Sequence, residues 1–253
     1  MTAKYLSRTY GGQTAQQRHF HRQQRFLQAG LDAMTRSGGT ATLAAIIATS
    51  GLSSRYFYEC FDGLDRLLIG IFDWIVEECA LAAVAAIETS GTGLHSPIKA
   101  AVIGVMDALT ADTRWARFIL DPAIGGSRLA PRRTKLTGDI AFLLREQQSG
   151  NAGHCDPKFL AVQSEVLVAG ARGATLAWLH GRLPLKREDL VEYCARYVDE
   201  SLLSSGTETH LSQLLRQRLL DSKEVPGVFD APSSATMPRV WMPQPDPLHP
   251  LLP

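Results

Sequence analysis

Residues 42–61 read TLAAIIATSGLSSRYFYECF, and their pattern predicts two short helices joined by a tight turn. Thr42 is a suitable N-cap, and Leu43, Ile46 and Ile47 recur at helical spacing on one face. Ser50-Gly51 interrupts that pattern, with Gly51 free to take the positive φ that a tight turn requires. Leu52 returns an apolar side chain to the core. Ser53 can cap a second helix in which Phe57 and Phe61, four apart, face inward. That leaves Ser54, Arg55, Tyr56, Tyr58 and Glu59 on the outer face. A short capped helix carrying an arginine and two hydroxyl-bearing aromatics suits the second half of a helix-turn-helix, the half that enters the groove of DNA.

The residues on either side extend this unit. Gln16 to Arg36 reads as a first helix with Phe20, Leu27, Leu31 and Met34 on one stripe and Phe26 and Ala33 beside it. Arg18, Arg22 and Arg25, spaced by four and three, are expected on a shared solvent face together with His19 and His21. Histidines two apart on a helix diverge, so they are no metal pair. The N-terminal residues, 1–18 with some overlap into this helix, are expected to be a flexible basic arm, with Gly11-Gly12 and no periodicity. The overall charge of +1 hides an asymmetry. Through Phe61 there are seven basic against two acidic residues, a net of +5, whereas 62–120 carry a net of −4. A basic N-terminal segment on a neutral chain points to a local anionic partner, with DNA phosphate foremost.

The stretch Thr42 to Ser53 followed by Phe57-Tyr58-Glu59-Cys60-Phe61 resembles the signature of the tetracycline-repressor (TetR) family of bacterial transcription regulators. That signature runs Thr-hydrophobic, Ile-Ala, Ala-Gly-Val-Ser, and then hydrophobic-Tyr-x-His/Tyr-Phe. Two positions depart from it: Cys60 stands in place of the usual His or aromatic, and Leu64 where a backbone-contacting Lys is common. The resemblance implies an all-α chain with a three-helix DNA-binding head over 19–79 (helix-turn-helix 42–61) and a ligand-binding and dimerisation body over 80–221. It also implies a homodimer, a palindromic operator in double-stranded DNA, and release of a repressor by a small-molecule effector. Thr42 and Ser53, at the helix starts, and Tyr58, at the family's Tyr, would bond phosphates, aided by the positive end of the helix dipole. Ser54, Arg55 and Tyr56 would reach base edges, where an arginine can pair bidentately with guanine.

Beyond the head the pattern stays helical. Asp62, with Asp65 three residues on, is expected to cap a helix to about Ala86 whose buried stripe is Leu67, Leu68, Ile71, Trp74, Ile75 and Cys79. Ser96-Pro97 starts another helix to about Leu109, and Asp112 caps Thr113 to Leu120. Gly125-Gly126 reads as a loop before a helix over Arg133 to Gln148, and 149–153 as a further loop. Phe159 to His180 is apolar over most of its surface. Arg187 opens an amphipathic helix with Leu190, Tyr193, Cys194, Tyr197, Val198 and Leu202 inward. These two helices carry more apolar face than one protomer can cover, which is the independent reason to expect a dimer. Trp74, Trp115, Phe118, Phe142 and Trp178 are candidates to line an effector pocket, although each residue type is more often core than contact. From about Ser222 the chain holds eight of its thirteen prolines, so 222–253 is expected to be an extended or disordered tail.

Other chemistries find little support. Cys60, Cys79, Cys155 and Cys194 are widely spaced, which is neither a disulfide framework nor a zinc site and fits a reducing cytoplasm. No apolar h-region follows Met1, and no run approaches the roughly 20 apolar residues of a membrane span. Asn151, His154, Cys155 and Asp156 cluster in a glycine-rich loop without a defined mutual geometry. There is no Gly-x-Ser-x-Gly, phosphate-binding glycine loop or His-Glu-x-x-His, so no catalytic residue, metal or cofactor is expected. Two alternatives remain beside the regulator: a helical dimeric metabolite- or protein-binding module without operator specificity, and an enzyme using the body's pocket.

Overall fold

The computed structural model describes residues 14–90, 96–149, 157–202 and 216–217. The described residues are all-α, as the sequence predicts. In chain order the helices are α1 (Ala15–Arg36), α2 (Leu43–Ser50), α3 (Ser54–Cys60), α4 (Leu64–Thr89), α5 (Pro97–Ala111), α6 (Thr113–Leu120), α7 (Gly126–Ser149), α8 (Pro157–Leu179) and α9 (Arg187–Leu202). Most of the expected basic arm, the Asn151 to Asp156 cluster and the proline-rich tail lie outside the described residues.

The head forms as its caps dictate. Thr14 accepts from the Gln17 amide at 3.1 Å while Gln17 Oε1 accepts from the Thr14 amide at 2.7 Å. This capping box starts α1 at Ala15, so residues 15–18 belong to the helix rather than to the arm. Thr42 and Ser53 cap α2 and α3, and Gly51 takes φ 64° between them. Phe26, Phe57 and Phe61 meet at the centre: Phe26 lies edge-on to both others at centroid distances of 5.3 and 6.4 Å. Phe26 is thus fully buried at the middle of the head rather than beside the main stripe.

From there the core runs without a break along α4 to α6 and α7. Leu67, Leu68, Ile71, Phe72 and Ile75 of α4 pack in one cluster with Phe26 and Phe57 on one side and with Phe118, Ile119 and Leu129 on the other. Gly104 of α5 lets the Ala82 carbonyl of α4 approach closely: an added Cβ would stand 2.5 Å from that oxygen. A polar bridge joins the same regions. Asp112 caps α6 and is nearly fully buried, and Arg114 Nε donates to both its carboxylate oxygens at 2.9 and 3.0 Å. Arg114 also pairs with Asp32 of α1. The hydrogen bonds that Arg114 donates to Asp112, reinforced by Asp32, raise the arginine's pKa and keep it charged.

Several expectations are corrected. Helix α4 starts at Leu64 behind Gly63 with no side-chain cap, and Asp65 pairs instead with Arg128 of α7 at 2.6 Å. The helix also runs on to Thr89, past Ala86. Helix α7 starts seven residues before Arg133 and includes Gly126, with Pro131 in its second turn. Its early turns are held by tertiary contacts invisible in a local pattern. Leu129 is fully buried, Arg132 pairs with Asp73 at 2.8 Å, and Arg133 donates to the carbonyls of Phe118, Ile119 and Ile124. Tyr193 and Tyr197 of α9 are exposed, because Leu190, Val191, Cys194, Ala195, Val198 and Leu202 fill its buried stripe.

The close approach at Gly104 makes two glycine substitutions differ in sign. Gly104→Ala should lower stability by about 1–3 kcal/mol through overpacking. Gly138→Ala, on α7 with open space around the new Cβ, should raise it by about 0.5–1 kcal/mol. Urea unfolding curves of the two variants check both.

Candidate nucleic-acid interface

Five of the six residues singled out for DNA lie on α3 or cap it, and the sixth, Thr42, caps α2. Thr42 Oγ1 accepts from the Ala45 amide at 3.3 Å and Ser53 Oγ from the Tyr56 amide at 3.5 Å. Each hydroxyl therefore uses its oxygen as a cap and keeps its O–H to donate outward. Ser54 is exposed, and the Arg55 side chain is 86% exposed. Tyr58 is 61% exposed: its ring rests edge-on against Phe57 at 5.4 Å while its body stands clear of the core. Tyr56, 38% exposed, lies under the Arg22 guanidinium at 4.5 Å.

Arg22 and Arg25 are not a plain solvent face. Arg25 Nη2 donates to the Ser50 carbonyl at the end of α2 at 2.8 Å. Arg22 turns toward α3, where Nη2 stands 3.7 Å from Glu59 Oε2, and its Nε is buried without a hydrogen-bond partner. Arg55 Nε donates to the other Glu59 oxygen at 3.2 Å. The packing of α1 on α3 brings these groups together. The four-residue spacing of Arg55 and Glu59 was legible in the sequence, but nothing local marks Arg22 as their neighbour. Cys60 sits 4.0 Å from His19 Nδ1 (Sγ to N), and burial pushes its thiol pKa up.

Three of the five pocket candidates share the main core, and the other two lie apart from them. Trp74 and Trp115 meet edge-on at 5.2 Å and pack with the fully buried Phe118 in the main core. Trp178 packs against a separate cluster of Met106, Leu190, Val191 and Cys194, its Nε1 donating to the Leu185 carbonyl at 3.0 Å. Phe142 lies beneath the Arg145 guanidinium. An open groove of about 370 Å³ lies in the head, against α1 and α2, lined by residues that include His21, Gln28, Asp32 and Thr49. Among the described residues no group of three His, Cys, Asp or Glu side chains is placed to hold a metal, and no helix is long and apolar enough to cross a membrane.

With this geometry in place, comparison with known proteins bears on the fold. No family model matches the sequence, and no curated protein matches it. Solved structures do match the fold. One of them, from Syntrophomonas wolfei and described as a "Putative TetR-family transcriptional regulator", aligns with a TM-score of 0.61 over 74% of this chain and 98% of its own length, at 11% identity. The chain shares that all-α fold.

Burial also sets the reactivity of two thiols, Cys79 and Cys194. Burial pushes Cys79 up to about 12 and raises Cys194 as well, so both stay protonated near neutral pH and lack the reactive thiolate. Alkylation by iodoacetamide at about pH 8, followed by mass spectrometry, should be slow at both in the folded protein and rapid in urea. The linkage runs the same way. The stability from burying the neutral Cys79 thiol is complete below about 9, its unperturbed value, and is lost as pH climbs toward 12.

Proposed function

We propose that this chain is a DNA-binding transcriptional regulator of the TetR type, a homodimer that reads a palindromic operator and is released from it by a small molecule. The observation that carries the reading is the outer face of α3. Arg55, Tyr58 and Ser54 stand exposed on a helix that its buried face fixes in a helix-turn-helix, and the fold is one shared with a protein described as such a regulator. Arg55 supplies a fork for a guanine edge, Ser54 and Tyr56 flank it, and Thr42, Ser53 and Tyr58 donate to phosphates on either side.

Two features support a dimer and its regulation. Helix α8 exposes Phe159, Val162 and Val166, and α9, which packs on α8, exposes Tyr193 and Tyr197. On α8 the stripe continues over exposed Ala169, Gly170 and Gly173, where a partner helix can approach. In the proposed dimer α8 and α9 meet their twins, which sets the spacing of two reading heads and hence of two half-sites. For regulation, the Asp32–Arg114–Asp112 bridge and the shared core of α1, α4 and α6 give a rigid route from body to head. An effector that swings the population from 99:1 to 1:99 must prefer the non-binding shape by about 5.5 kcal/mol. The division of the chain near residue 79 into head and body follows from the same reading.

Selection of bound sequences from random duplex DNA with the purified protein should recover a palindrome. On that sequence Tyr58→Phe should weaken binding evenly across base changes, whereas Arg55→Ala should relax discrimination at one base pair by about 1–3 kcal/mol. Unchanged sequence preference in Arg55→Ala refutes the base-reading role. Val166→Asp should turn the dimer into a monomer in sedimentation while the helical circular dichroism persists. A variant that stays dimeric moves the interface away from α8.

A further inference from the structure

Local helix physics does not account for the acid at the centre of the candidate interface. Between residues 43 and 61, Glu59 is the one acidic and Arg55 the one basic residue. Glu59 occupies the last turn of α3, where a negative charge meets the negative end of the helix dipole. It also follows Arg55 by four positions, the less favourable order for a helical ion pair. What holds it in place is tertiary. Arg22 of α1 approaches one carboxylate oxygen at 3.7 Å, and Arg55 Nε donates to the other at 3.2 Å. The Arg22 guanidinium also covers the Tyr56 ring. One carboxylate therefore positions two of the three side chains assigned to base edges.

We propose that Glu59 is a specificity-determining residue that buttresses Arg55 for a guanine edge and withholds it from backbone phosphate. This rests on the DNA-binding reading above. Glu59 engages Nε, which leaves the two terminal nitrogens of Arg55 side by side and fixes the plane of the guanidinium. A guanine edge offers O6 and N7 to that pair of nitrogens and asks nothing of Nε. A phosphate, in contrast, brings its own charge against the carboxylate and competes with it for the same arginine. The carboxylate thus lowers binding to any duplex more than binding to the correct one.

The test compares the wild type with Glu59→Gln and Glu59→Asp on two probes, the duplex recovered by selection and a random-sequence duplex, across a salt titration. Gln keeps the size and removes the charge, so affinity for the random duplex should rise about fivefold and the log–log salt slope should steepen by about one. Selectivity for the single base pair read by Arg55 should fall about tenfold. Asp keeps the charge but is too short to reach Nε, so selectivity should fall with no steeper salt slope. Neither substitution should change base preference in an Arg55→Ala background. Circular dichroism confirms that each variant is folded. If the wild type is selective and both variants match it in selectivity and slope, the proposal is overturned. A switch of the preferred base also overturns it, making Glu59 itself the reader. A wild type that binds neither probe defeats the DNA-binding reading itself.

Discussion

Phe26 of α1 and Phe57 of α3 meet edge to face in a fully buried contact that Phe61 completes, and the outer surface of the head is fixed by it. A helix of seven residues has no stability of its own, because nucleation costs more than so few hydrogen bonds return. Helix α3 exists because Phe57 is buried against Phe26 of α1 within the core that α4 shares. With Phe57 locked inward, helical geometry sends Ser54, Arg55 and Tyr58 outward as a rigid set. Any change in how α1 holds that ring is felt directly at the outer face.

The same core joins α1, α2 and α3 with α6 and α7 along α4. Helix α4 contributes Leu67, Leu68 and Ile71 to the aromatic knot and Ile75 and Cys79 further along, and α6 and α7 close over it with Phe118, Ile119 and Leu129. Arg133 ties the end of α6 to α7 through two of its backbone carbonyls and a third, of Ile124, in the connection, and Arg114 ties its start to α1. Helix α6 is thus held at both ends by guanidinium groups. A buried acid such as Asp112 is tolerated there because Arg114 and a backbone amide satisfy it.

Charge in the head is spent differently from what a count suggests. The net of +5 through Phe61 describes seven basic residues, yet Arg22 and Arg25 are bound to groups of the helix-turn-helix, and Arg55 is buttressed by Glu59. The field at the outer face is therefore patterned by ion pairs rather than being uniformly positive, which favours discrimination over bulk affinity.

The sequence by itself determined what short-range physics controls. Thr42, Gly51, Ser53, Ser96 and Asp112 placed caps and a turn where the structure has them, since a cap hydrogen bond and a positive φ are satisfied within a few residues. The inward Phe57 and Phe61 and the outward Arg55 and Tyr58 were legible from helical spacing. Tertiary structure decided the rest. Gly126 and Pro131 argue locally against a helix, yet α7 forms there because Leu129, Arg132 and Arg133 find partners far away in sequence. The outward turn of Tyr193 and Tyr197, the scatter of Trp74, Phe142 and Trp178, and the approach of Arg22 to Glu59 depend on how helices dock. Docking is settled by contacts between residues tens of positions apart, and no local pattern encodes them.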